Sequence, residues 1–168
     1  MGTKQVKIQG MAKWAKVFEQ NRDKRGYEDA YVECDGAYTI ELTMDKDNFM
    51  VLADLNAAKA SKIKQKEVEK FGEVALKFVR KHKDRFEWSS GAPIVTKADN
   101  SLWDVDKDGL IGNDSIVELT VDVYDTSKAT GTRLVAVKVL NNVEFEKDAT
   151  KTPPPSAPKT PTSDEVIF

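Results

Sequence analysis

This sequence predicts a mainly β fold with one packed α-helix and a disordered C-terminal tail, and three observations carry that expectation. Two long stretches alternate apolar and polar residues with the period of a half-buried strand. Only one segment has convincing helical spacing behind a capping residue. Near the C-terminus the composition turns abruptly to proline, which fixes φ and removes backbone donors. These features divide the chain into a domain over residues 1–148 and a tail over residues 149–168.

The first expected strand runs from Ala12 to Phe18. The second covers Ala37 to Met44, with Tyr38, Ile40 and Leu42 on one face. Asp45 or Asp47 then caps a helix through Phe49, Leu52 and Leu55, toward Lys59, with Ala57, Ala58 and Ala60 adding propensity. Lys62 to Gly72 can continue that helix. Ala75 to Arg80 reads better as a strand, because Leu76, Phe78 and Arg80 alternate with Lys77, Val79 and Lys81. Ser115 to Tyr124 places Val117, Leu119, Val121 and Val123 on one face. It pairs with Leu134 to Leu140 as an antiparallel hairpin whose loop contains Gly131, and Val143 to Phe145 extends the sheet.

Composition narrows the function classes. Of the 168 residues 40% are hydrophobic and 32% charged, enough for one modest core under a solvated surface. No apolar run approaches the roughly 18 residues of a transmembrane helix, and the N-terminus lacks the apolar stretch of a signal peptide. Cys34 is the single cysteine, which excludes an internal disulfide and fits a reducing compartment. The net charge of −2 hides a strong asymmetry: Lys59 to Arg85 carries +6 and Asp99 to Asp125 carries −7. A solvated charged helix would also explain the basic segment.

Catalytic and metal chemistry find little support. One histidine, His82, and one cysteine cannot assemble a Cys/His zinc site, and no glycine-rich phosphate motif is present. No acid–base or nucleophile constellation emerges, so a non-enzymatic protein without cofactors is expected. Asp104-Val105-Asp106-Lys107-Asp108-Gly109-Leu110-Ile111 imitates the start of a calcium loop. The twelfth position, which should supply a bidentate carboxylate, is Ser115, and Asp114 comes one place early.

Binding a single nucleic-acid strand requires cations along the backbone and aromatic faces for the bases. Lys77, Phe78, Arg80, Lys81, Lys83, Arg85 and Trp88 supply both within twelve residues, and Lys13-Trp14-Ala15-Lys16 sets a tryptophan between two lysines. Lys13, Trp14 and Lys16 therefore join the candidate contacts. The same aromatics can instead be core residues, and the sequence leaves open which are which.

The order of these patterns resembles a family. Lys13 to Phe18, Gly36 to Met44, a helix, Lys77 to Lys81, Ser90-Gly91-Ala92-Pro93-Ile94-Val95, Ile111 to Ser115, a final strand pair and the tail follow one another as in the single-stranded DNA-binding proteins of short-tailed (podovirus) phages. The resemblance spans essentially the whole chain, through the order of elements and local pattern. It implies an OB-fold-like β-barrel, often dimeric, that binds single-stranded DNA during replication and recombination in the cytoplasm of an infected bacterium. It also implies a tail whose tip contacts the replicative DNA polymerase and the helicase-primase and competes with DNA for the basic cleft. Asp164, Glu165 and Phe168 match that tip. With two acidic side chains only, the tip is better suited to docking in a partner's pocket than to mimicking DNA. The alternative reading is a non-enzymatic β-rich protein-interaction or minor virion module without nucleic-acid binding.

Overall fold

The structure, a computed structural model, describes residues 3–143. Asp164, Glu165, Phe168, the proline-rich linker and the Glu144 and Phe145 positions of the expected sheet extension lie outside the described residues.

Among the described residues six strands form one sheet in the order β3-β2-β1-β5-β6-β4. They are β1 (Lys4–Lys16), β2 (Ala37–Asp45), β3 (Glu73–Lys81), β4 (Ile94–Lys97), β5 (Ser115–Asp125) and β6 (Thr130–Asn141). All neighbours are antiparallel except β4 and β6, which run parallel. The chain is thus mainly β, as its alternation predicts. The sheet curls toward a barrel, but no ladder joins β3 to β6 or β4, so it is not closed by backbone hydrogen bonds.

Strand β1 begins eight residues before the expected Ala12, at Lys4, because Val6 and Ile8 continue its inward face between outward lysines and glutamines. Gly10 lies on that strand where a Cβ would collide with the Thr43 carbonyl and the Leu42 side chain of β2. Strands β2, β3 and β5 turn Ile40, Leu42, Met44, Leu76, Phe78, Val117, Leu119 and Val121 into one core. The hairpin turn between β5 and β6 is 126–129, with Thr126 Oγ1 accepting the Ala129 N–H at 3.0 Å. Gly131, expected in the loop, instead lies in β6 opposite Tyr124. At the far end β6 stops at Asn141, and the Val143 N–H donates to the Ser115 side-chain oxygen rather than to a strand carbonyl.

The expected single helix is two. Helix α1 (Lys46–Ala53) starts at Asp45, whose carboxylate accepts the Asn48 N–H at 3.0 Å, and buries Phe49 and Leu52. Helix α2 (Lys62–Phe71) has its own cap, Ser61, and ends at Gly72 in the left-handed region. Two complete sets of capping signals make the break physical. A salt bridge from Lys46 to Glu69 at 2.7 Å ties the helices together. In the acidic segment Val105–Asp108 form a single turn, α3, capped by Asp104. Asp104 there accepts the Asp106 N–H, and Asp108 accepts the Asp104 N–H while meeting Lys97 at 3.3 Å.

Candidate nucleic-acid interface

Strand alternation on β1 fails at Trp14. The register against β2 shifts between Lys13 and Lys16, and Trp14 takes φ of 53°. That is the left-handed region, which disfavours a bulky side chain and persists only where neighbours impose it. The neighbours come from residues 113 and 114. Asn113 Oδ1 accepts the Trp14 N–H at 2.8 Å, the Asp114 N–H donates to the Ala12 carbonyl, and Asp114 pairs with Lys13 at 2.9 Å. The bulge throws the indole outward, where it is 65% exposed.

Beside the indole lies a cavity of about 240 Å³ bordered by Lys16, Lys77, Thr39, Glu41 and Asp23. The register explains the grouping, since Glu41 pairs with Lys77 on one side and Lys13 on the other. The Lys77 ammonium also lies 5.7 Å from the centre of the Tyr31 ring. Gly26 permits that placement of Tyr31, because a Cβ there would collide with its ring. Asp23 is partly buried, which alone would raise its pKa, but the Gly26 and Arg25 amides hold its carboxylate below the usual range. The pocket therefore carries two cations and two acids, and attraction for phosphate depends on Lys16 and Lys77 reaching past the carboxylates.

The second cluster follows β3. Lys81, Lys83 and Arg85 are exposed, and Lys83 approaches Asp35 at 4.0 Å. Phe86 and Trp88 stack at 5.4 Å with rings 8° from parallel, and the Arg85 guanidinium sits 5.2 Å from Phe86. Arg133 of β6 lies between two rings, 4.9 Å from Trp88 and 4.7 Å from Tyr124, and meets Asp122 at 3.4 Å. Trp88 is 64% exposed. Loop 82–91 is joined to loop 31–36 through the His82 N–H on the Gly36 carbonyl and the Lys83 N–H on the Cys34 carbonyl, and to β2 through His82 Nδ1 with the Tyr38 hydroxyl at 2.7 Å.

Two of the expected contacts are corrected. Phe78 is fully buried in the core, so its ring offers no face to a base. Arg80 points inward on the same side of β3 and donates four hydrogen bonds to carbonyls of Gly91, Trp88, Ser90 and Leu134. Burial, then Arg133, pushes its pKa down from the ordinary arginine value, yet a guanidinium stays protonated. Arg80 folds the loop that carries Trp88 rather than facing a phosphate. Lys13 is half-buried and ion-paired to Asp114. Trp14, Lys16 and Lys77 do come together, while Lys81, Lys83, Arg85 and Trp88 follow at the end of β3. Tyr31, Asn113, Tyr124 and Arg133 carry no local signal in the sequence, because their placement arises only from long-range packing.

No protein-family model matches the chain, and no curated protein matches it. Solved structures do. The fold matches that of gp2.5, a single-stranded DNA binding protein encoded by bacteriophage T7, with a TM-score of 0.56 at 14% identity, over 88% of this chain and 92% of that one. It matches the C-terminally truncated single-stranded DNA-binding protein from bacteriophage Enc34 with a TM-score of 0.51 at 13% identity, over 84% and 88% of the two chains. The same Enc34 protein in complex with ssDNA gives 0.51 at 12% identity, over 86% and 89%. At such identities the likeness establishes a shared fold, and the structural neighbours of this chain are phage single-stranded DNA-binding proteins.

Proposed function

We propose that this protein binds single-stranded DNA without sequence preference and acts, without catalysis, in phage DNA replication and recombination inside the infected cell. The observation that carries the reading is Trp14, held outward on a strained bulge beside Lys16 and Lys77. An exposed indole flanked by cations is the arrangement that stacks a base while neutralising its phosphates. Lys81, Lys83, Arg85 and Trp88 provide further cationic and aromatic surface. The shared fold with phage proteins whose own ligand is ssDNA supports the same reading. Preferential binding of the single strand would sequester it and melt hairpins. Asp164, Glu165 and Phe168 on the proline-rich linker would then bring the replicative polymerase and the helicase-primase to the coated strand.

The test uses Trp14 as its own reporter, in a W88F/W103F variant titrated with dT oligomers of increasing length at two salt concentrations. Quenching that saturates, strengthens with length to a limit and weakens with salt supports the reading. The rival, a β-rich protein-interaction or minor virion module, predicts no quenching and no complex.

A further inference from the structure

We propose that Trp14 is a wall between two chemically different subsites, and that the second, a slot against Leu110 and Ile111, takes one unstacked nucleobase. This inference rests on the single-strand reading and goes beyond it by assigning where a base sits.

On one side of the wall lies the cavity of Lys16 and Lys77, suited to phosphate. On the other lies a slot of about 190 Å³ bordered by Trp14, Ala15, Asn21, Leu110, Ile111 and Asn113, with Lys16 at the lip shared by both. That volume falls short of the roughly 300 Å³ at which clefts for whole small molecules begin. One base fits the scale, and a run of nucleotides does not.

The lining suits the two surfaces of a base. Ile111 is buried and Leu110 packs against the core, so the far wall is apolar and fixed. Trp14 supplies the aromatic near wall. The polar groups then divide cleanly. Asn21 is used by the fold: its Oδ1 accepts the Phe18 N–H at 3.1 Å and its Nδ2 reaches the Ala15 carbonyl at 3.5 Å. Asn113 is used by half. Its Oδ1 accepts the Trp14 N–H at 2.8 Å, which fixes the orientation of the amide. Among the hydrogen bonds of the described residues, none takes its Nδ2. A slot with apolar and aromatic walls and one free, oriented N–H donor recognises what all bases share, a π face and an acceptor on the edge. The backbone of the same nucleotide would turn toward Lys16 and Lys77.

The test is made on the full chain with dT8. Isotope-edited NMR should show nuclear Overhauser contacts from thymine methyl protons to the methyl groups of Leu110 and Ile111. N113D keeps the oxygen that accepts from Trp14 but lacks the NH2, and should weaken dT8 binding about two- to tenfold, the worth of one hydrogen bond. That loss should persist as salt rises, whereas repulsion by the new carboxylate would fade. Saturating dT8 with no thymine contact to Leu110 or Ile111 overturns the slot while leaving single-strand binding intact. A loss in N113D that vanishes at high salt overturns the donor role. Absence of any dT8 complex overturns the underlying function together with the slot.

Discussion

The Arg80 guanidinium donates to the Leu134 carbonyl at 3.3 Å, joining β3 to β6 across a gap that no ladder spans. The same side chain gathers the carbonyls of Trp88, Ser90 and Gly91. R80A leaves these carbonyls without their charged donor and should lower unfolding free energy by about 2–4 kcal/mol in urea melts. R80K, with no planar fork, should recover little of it. Because the guanidinium faces inward, R80K should leave the salt dependence of DNA binding unchanged at protein concentrations and temperatures where it is folded.

Lys16 and Lys77 should behave in the opposite way. Each phosphate contact on a single strand contributes about 0.7 to the slope of log affinity against log salt. K16A and K77A should each reduce that slope by about this amount without altering the urea midpoint appreciably, as read from titrations at four or more salt concentrations. An unchanged slope in both would remove the cation pocket from the interface.

Trp14 separates strain from binding. Its φ of 53° suits glycine better than any residue with a Cβ. W14G should therefore fold more stably than W14A, while both lose about 1–3 kcal/mol of affinity, the usual worth of a stacked base. Parallel thermal melts and dT titrations separate the two effects. F78A makes the contrast: it should lower stability by about 3–5 kcal/mol through loss of a core ring.

Acid should destabilise the domain through a few named carboxylates. The Asn48 backbone and side-chain amides hold Asp45 below its ordinary value of 3.8. For Asp23 and Asp84 burial acts upward, but backbone hydrogen bonds from Gly26 and Arg25, and from Arg85, bring both below 3.8 as well. A depressed carboxylate pKa gives stability that is complete above the unfolded value and lost as pH falls through the folded one. Urea midpoints should thus be insensitive to these groups from pH 5 to 7 and drop below about pH 4. D45A, which removes the helix cap, should lose about 1 kcal/mol at neutral pH and show a shallower acid decline.

The tail can be tested apart from the domain. Deleting 164–168, or F168A, should spare DNA affinity and abolish stimulation of the polymerase or helicase-primase. Equal loss of both activities would show that the tip serves the fold.

What could be read from the sequence follows a physical line. Strands β2, β5 and much of β3 announce themselves because each buries one face, so the period of two is written in Ile40, Leu42, Val117, Leu119, Val121, Leu76 and Phe78. The first half of β1 was hidden because Val6 and Ile8 are its only large apolar residues before Gly10, and the need for that glycine lies in β2. Trp14 was recognisable as an aromatic between two lysines, but neither its exposure nor its bulge was, since Asn113 and Asp114 that impose the bulge lie a hundred residues on. Arg80 misled for the converse reason. In sequence it belongs to a basic run, and the carbonyls that claim it are assembled only by the folded loop and by β6.

The central place of β1 has a consequence for synthesis. This first strand pairs with β2 on one side and β5 on the other, with Gln5 opposite Asp122. As the chain leaves the ribosome, β1 can join β2 early, but its other edge stays open until residues 115–125 have emerged. The ladder between β1 and β5 thus becomes available only late, and closing it brings together the paired residues most distant in sequence. Folding should be committed late, with a sticky strand edge exposed for most of translation. The outward lysines and glutamines that obscure β1 as a strand (Lys4, Gln5, Lys7, Gln9) are the residues that would keep that waiting edge soluble.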